Sequence, residues 1–378
     1  MKLNKVSACK LTLFFLFIQY FLLSAFSQSN PHFSVDLHID YSAADQAIDL
    51  FEDRFVDVQS LAELRGNRIA ASTTGLISNS GSITSNLQNY LDSLKAHQII
   101  RDDVYHLEEA RRDVSAIKEL LEAIKKRNFS RRIAATVEQI FPEDAKVSVL
   151  IPLYIVALGH ENVDAYVRRI NWHGDVPQFV GENEGELTIA INLAHAVRYG
   201  DAVEERLLSV LGVVAHEVFH AAFGAYKDGS PTWKRYYKNH RRPIDELFDL
   251  THNEGIAYYL SLEQQGHGYV PRDWYARSRE TFTRFNHNAA ELFSNTLTRD
   301  RASELIRGAN LSGYHESYGA MAGMFIAREI DHRLGRPALI ETIALGPANF
   351  FEKYNSLTEH DNTLPSLSGK ILAFFHQK

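Results

Sequence analysis

DAVEERLLSVLGVVAHEVFHAAFGAYK, residues Asp201–Lys227, reads as one buried helix with two histidines near its C-terminal end. Asp201, followed three residues later by Glu204, makes a capping-box start, and Leu207, Leu208, Leu211, Val214, Ala215, Val218 and Ala222 recur at helical spacing. That stripe is the core-facing side. His216 and His220 stand one turn apart, so both imidazoles leave the same side of the helix and can reach one metal ion at about 2.0–2.1 Å. Glu217 lies about 100° round the helix from His216, close to such an ion but turned away from the ligand pair. A carboxylate there can take a proton from a water on the ion. His-Glu-x-x-His thus supplies two ligands and a general base from five residues. On an apolar helix, two buried imidazoles and a buried carboxylate would be costly without a shared partner, and this favours a metal over a chance match.

Two histidines do not complete a zinc site. Downstream, Asp245, Glu246, Asp249, His252 and Glu254 are the candidate third ligands. Pro243 suits the first turn of a helix running to about Gln265 and stopping at Gly266. On that helix Leu247, Leu250, Thr251, Glu254, Ala257, Tyr258 and Ser261 share a face, so Glu254 is the acid within the apolar stripe. Asp245, Glu246 and Asp249 have more polar neighbours. Gly255 and Ala257 are small enough to let the second helix approach the first. The 34 residues from His220 to Glu254 leave room for a turn and an antiparallel return.

HEVFH followed by Asn253-Glu254-Gly255-Ile256-Ala257 resembles the gluzincin group of zinc metallopeptidases, thermolysin-like in active-site plan. Within that group the chain looks most like a little-characterised family of zinc-dependent peptidases of the peptidase MA kind, over roughly Val147–Asn355. The resemblance implies one zinc ion per chain on His216, His220 and Glu254, with Glu217 as the base. It also implies a Tyr or His beyond the Glu ligand that donates to the oxyanion, matched here by Tyr318, with His315 next. The second motif lacks the Asp of the thermolysin form, so the carboxylate that orients a zinc histidine must come from elsewhere, with Asp249 a candidate.

Lys2, Lys5 and Lys10 precede the apolar run Leu11–Leu23, and Ala25-Phe26-Ser27 offers small residues before Gln28. Residues 1–27 therefore read as a signal peptide, and the protein is expected to be exported, periplasmic or secreted. An uncleaved anchor is the alternative, but about 15 apolar residues broken by Gln19 fall short of the roughly 20 a span needs. Cys9 lies inside this segment, so the mature chain has no cysteine and no disulfide. Cleavage would leave 351 residues of formal charge −10, which disfavours a nucleic-acid partner. No later apolar run reads as a stable membrane span.

Residues 28–145 are expected to form an N-terminal helical lobe and residues 146–378 a zincin-like metallopeptidase domain. In the first part, Ala44, Ile48, Phe51 and Phe55 keep one helical face and Leu107, Ala110, Val114, Ile117, Leu121 and Ile124 another. Ala71–Ser85, rich in Ser, Thr and Gly, reads as a loop, and Arg131–Phe141 as a helix stopped by Pro142. Val147–Leu158 is continuous and β-branched, a buried strand. Glu186–Leu193 alternates apolar and polar residues just before the metal helix. It is either an edge strand able to hold an extended peptide or an ordinary sheet strand. Tyr314–Gly335 is a further helix with a Gly stop. The expected fold is α+β and mainly helical, with a small sheet whose edge strand precedes the active-site helix. The expected function is hydrolysis of a peptide or protein substrate; the alternative is a zincin-fold protein that binds a partner without hydrolysis.

Overall fold

The computed structural model describes residues 30–376, apart from 31, 78–86, 161, 162, 164, 182, 183, 265–271, 295 and 311–316. The signal peptide expected over residues 1–27 lies outside this range. Among the described residues one five-stranded sheet, ordered β1-β2-β5-β3-β4, is surrounded by helices. Its strands are β1 (Phe33–Asp40), β2 (Val147–Val156), β3 (Ala165–His173), β4 (Val176–Phe179) and β5 (Glu186–Asn192). The fold is α+β and mainly helical, as the sequence predicts.

Between β1 and β2 run α1 (Ser42–Phe51), α2 (Val58–Glu63), α3 (Arg65–Ile77), α4 (Leu87–Lys95), α5 (Leu107–Arg112), α6 (Val114–Lys126) and α7 (Phe129–Glu138). The segment read as a helical lobe thus also supplies a strand. β1 pairs in parallel with β2 from Phe33 opposite Val147 to Asp40 opposite Tyr154. FSVDLHID alternates apolar and polar residues, the period of a half-covered strand, so the signal for β1 was there to be read. The loop expected from Ala71 is helical as far as Ile77. Ala70, Ala71, Thr73 and Thr74 are buried there, and burial against the sheet outweighs the modest helix propensity of Thr and Ser.

The strand expected at the edge of the sheet is interior. β5 pairs in parallel with β2 (Leu153 opposite Ile189) and antiparallel with β3 (Val167 opposite Ile189), so both of its ladders are used. Its residues Thr188–Asn192 are buried on both faces, which its alternating sequence did not suggest. The partner β3 turns back into β4 through Gly174, at φ +64, and Asp175, a two-residue hairpin connection.

After β5 the chain forms α8 (Leu193–Ala196) and then the long helix α9 (Val203–Gly229). The start of α9 is capped by Glu205 rather than Glu204, its Oε2 accepting from the backbone of Asp201 at 3.0 Å and Ala202 at 3.4 Å. α9 is the one helix among the described residues long and apolar enough to cross a membrane, and 72% of its most apolar window is buried inside the protein. It is the central core helix. Phe141 links it to the N-terminal half, with its ring 5.8 Å from Phe219 and 5.1 Å from Phe33 on β1.

The rest of the chain is helical: α10 (Pro231–Asn239), α11 (Pro243–Glu263), α12 (Ser278–Leu292), α13 (Arg299–Ala309), α14 (Tyr318–Leu334), α15 (Arg336–Leu345), α16 (Pro347–Thr358) and α17 (Gly369–His376). α11 returns antiparallel along α9. Gly212 meets Ser261, His220 meets Asn253 and Lys227 meets Asp249, in opposite order along the two helices.

Candidate active site

His216 and His220 lie on the side of α9 that faces α11, and Glu254 projects from α11 towards them. His216 Nε2 stands 3.1 Å from His220 Nε2, and Glu254 Oε2 lies 3.3 Å from His220 Nε2 and 3.6 Å from His216 Nε2. A tetrahedral ion with bonds of about 2.05 Å needs ligand atoms about 3.3 Å apart. Two imidazole nitrogens and one carboxylate oxygen at these separations fit a zinc ion with its fourth position open. A carboxylate oxygen of Glu217 lies within 4.8 Å of a ring nitrogen of each histidine. Of the five candidate third ligands, Glu254 is the one whose carboxylate faces both imidazoles.

The charges of the three groups are coupled. Burial alone would raise the Glu254 pKa, but the two imidazoles hold it well below the usual carboxylate range. Burial alone would lower that of His220, but the facing Glu254 carboxylate outweighs burial and lifts it to about 9. The pair is therefore ionised at neutral pH, ready to exchange a bound proton for a metal cation.

Two asparagines, neither assigned a role from sequence, orient this triangle. Asn253 Oδ1 sits 3.2 Å from His220 Nδ1, so that N–H donates to it and Nε2 is left turned to Glu254. Asn310, just past α13, donates from Nδ2 to Glu254 Oε1 at 2.8 Å and leaves Oε2 for the histidines. Asn253 stood in the quoted motif; Asn310, 56 residues from Glu254, had no local signal.

Asp249, considered as the orienting carboxylate, is engaged elsewhere. It accepts from Lys227 Nζ at 2.8 Å and from the Tyr237 hydroxyl at 2.8 Å. Lys227 is buried beneath Phe223 and Trp233, its ammonium 4.3 and 4.5 Å from the two ring centroids. Burial lowers its pKa, and Asp249 offsets part of that. Asp245 caps α11, its Oδ2 accepting from the Arg242 backbone at 3.0 Å.

Tyr318, expected to donate to an oxyanion, has its hydroxyl bonded to backbone within the core. It is 2% exposed, and its hydroxyl donates to the Leu305 carbonyl at 2.7 Å, tying α14 to α13. Burial pushes its pKa up to about 12. A hydroxyl so committed acts in this structure as a core tie between the two helices. His315 lies outside the described residues. Tyr258, by contrast, packs its ring edge-on to His216 at 4.6 Å, one turn beyond Glu254.

His252, the remaining candidate ligand, points away from the triangle. It is fully buried between Trp233, stacked at 6.0 Å, and Phe350 at 4.9 Å, with Nε2 3.1 Å from Thr342 Oγ1. Burial, helped by the Lys227 charge, lowers its pKa well below 6.5. Below about pH 6.5 the unfolded chain takes up this proton and the folded chain does not, so stability present above pH 6.5 is lost as pH falls, by about 1.4 kcal/mol per unit. His252→Phe should flatten that slope. Urea unfolding at pH 7 and 5 checks it: an equal pH 7 to 5 loss in wild type and variant would show that His252 titrates normally in the fold.

Residues 59–363 match the family described as putative zinc dependent peptidase (DUF5700). The chain belongs to this family. The matched span contains His216, Glu217, His220, Glu254 and both orienting asparagines, and the DUF5700 description attributes zinc dependence and peptidase activity to its members. Neither curated proteins nor solved structures return a match.

Proposed function

We propose that this chain is an exported zinc metallopeptidase of the HExxH, gluzincin type. The observation that carries this reading is the triangle of His216 Nε2, His220 Nε2 and Glu254 Oε2, with edges of 3.1, 3.3 and 3.6 Å. Zinc bound there would act as a Lewis acid, polarising a peptide carbonyl and lowering the pKa of a water towards about 7. The protein supplies the rest. Glu217, beside the pair but outside the triangle, accepts the proton of the attacking water and returns it to the leaving nitrogen. Asn253 and Asn310 keep His220 Nε2 and Glu254 Oε2 turned inward, so little reorganisation is needed on binding. The substrate is a peptide or protein. Export rests on the basic start, short apolar run and small residues of 1–27.

Elemental analysis of purified protein tests the ligand set. Wild type should carry one zinc per chain, and Glu254→Ala, dialysed against a weak chelator, less than about a tenth of that. A wild-type chain that folds but refuses added zinc would refute the metal site, and undiminished zinc in Glu254→Ala would remove Glu254 from it. Intact mass of the exported protein should begin at Gln28; a chain still starting at Met1 in the membrane pellet would make the segment an anchor.

A further inference from the structure

A cavity of about 700 Å³ opens between the start of α11 and the length of α13 from Arg299 to Arg307. Arg241, Arg299 and Arg307 line it, over a floor that includes Leu297 and Ile306, with Glu246 the one acidic side chain in the lining. The three arginines form no ion pair among the described residues, in a chain of net charge −7. Unpaired guanidinium groups beside apolar floor atoms match a peptide carboxylate flanked by hydrocarbon, because the planar fork binds carboxylate through two parallel hydrogen bonds.

The cavity is joined to the histidine site along one seam. Along α13 Arg299, Ser303 and Ile306 follow at i, i+4 and i+7, and Asn310, the residue that caps its C-terminal end, donates to Glu254. On α11, Pro243 at the cavity and Glu254 at the site have the same eleven-residue separation. At 1.5 Å per residue both helices cover about 16 Å from the far end of the cavity, at Pro243 and Arg299, to the site, which an extended peptide spans in roughly five residues, and Arg307 stands within one turn of Asn310. We propose that Arg241, Arg299 and Arg307 form a subsite that selects peptide substrates carrying a carboxylate within about five residues of the scissile bond. This rests on the peptidase reading above and names its substrate class.

The test gives wild type and an Arg241→Gln, Arg299→Gln, Arg307→Gln variant the same tryptic peptide library, with free or amidated C-termini, and reads the cut sites by mass spectrometry. Exposed carboxylate–arginine contacts are each worth a few-fold, so acidic residues should be enriched about tenfold on one side of wild-type cuts. The variant should lose the enrichment. Persistence with amidated peptides assigns the ligand to Asp or Glu side chains; dependence on a free end assigns it to the terminal carboxylate. Cutting without acidic enrichment, or enrichment unchanged in the variant, overturns the subsite and leaves the peptidase reading intact. If nothing is cut, the peptidase reading fails instead, and binding to Glu217→Gln decides the subsite. There a fluorescein-labelled Gly/Ala/Leu dodecapeptide with three glutamates should bind about tenfold more tightly than its glutamine counterpart, and equal affinities refute the proposal.

Discussion

Glu217→Gln is expected to fold, to bind zinc and to lose peptide hydrolysis by about 10²–10⁴-fold in kcat/KM, the range a positioned acid–base group supplies. The substitution keeps the shape of the side chain and removes its capacity to take a proton. Glu217 lies within 4.8 Å of the histidine nitrogens but outside the triangle closed by Glu254, so its loss should leave the metal-binding set whole. At 1.36 kcal/mol per decade the loss is about 3–5 kcal/mol of transition-state stabilisation. Zinc content, far-UV circular dichroism and turnover of a peptide library, measured on one preparation, separate the outcomes. A rate within threefold of wild type would refute general-base catalysis by Glu217. Loss of zinc together with activity would make Glu217 a ligand instead.

Gly323→Ala should destabilise the protein by about 3 kcal/mol and lower Tm by roughly 4 °C, although Ala is normally about 1 kcal/mol better than Gly inside a helix. The reason is a backbone-to-backbone contact. A Cβ at Gly323 of α14 would stand 2.0 Å from the Thr251 carbonyl oxygen, and one at Gly255 of α11 2.3 Å from the Gly323 carbonyl carbon. Neither neighbour can swing aside, so the helices must separate, and the cost of repacking exceeds the gain in propensity. Gly255 is next to Glu254, so separation would also disturb the triangle, and zinc affinity should fall along with stability. Gly224→Ala is the internal control: an added Cβ on this exposed turn of α9 meets nothing within 4 Å, so propensity alone acts and stability should rise by about 0.5–1 kcal/mol. Thermal unfolding of the two variants beside wild type checks both signs. A stabilised Gly323→Ala would show that α11 and α14 are not held in backbone contact.

Local periodicity sufficed where the information was local. One-turn spacing put His216 and His220 on one side of α9, and a lone acid in the apolar stripe of α11 singled out Glu254, because both follow from 3.6 residues per turn. The mainly helical α+β class was legible for the same reason. What depended on a partner distant in sequence was not. β5 alternates like an edge strand but is enclosed by β2 and β3, since strand pairing is set by neighbours its own residues do not specify. Asp249 and Asn253 could each have oriented a histidine; packing gave Asp249 to Lys227 and Asn253 to His220, because a buried ammonium must have its counter-charge. Tyr318 has the residue type of an oxyanion donor, yet α13 meets its hydroxyl with the Leu305 carbonyl. Residue types and their spacing along a helix determined which groups could bind a metal and move a proton. Only the packing of α9 against α11, and of α13 and α14 against α11, decided which of them meet, because separations of about 3 Å between side chains 34 and 56 residues apart are a property of the folded core.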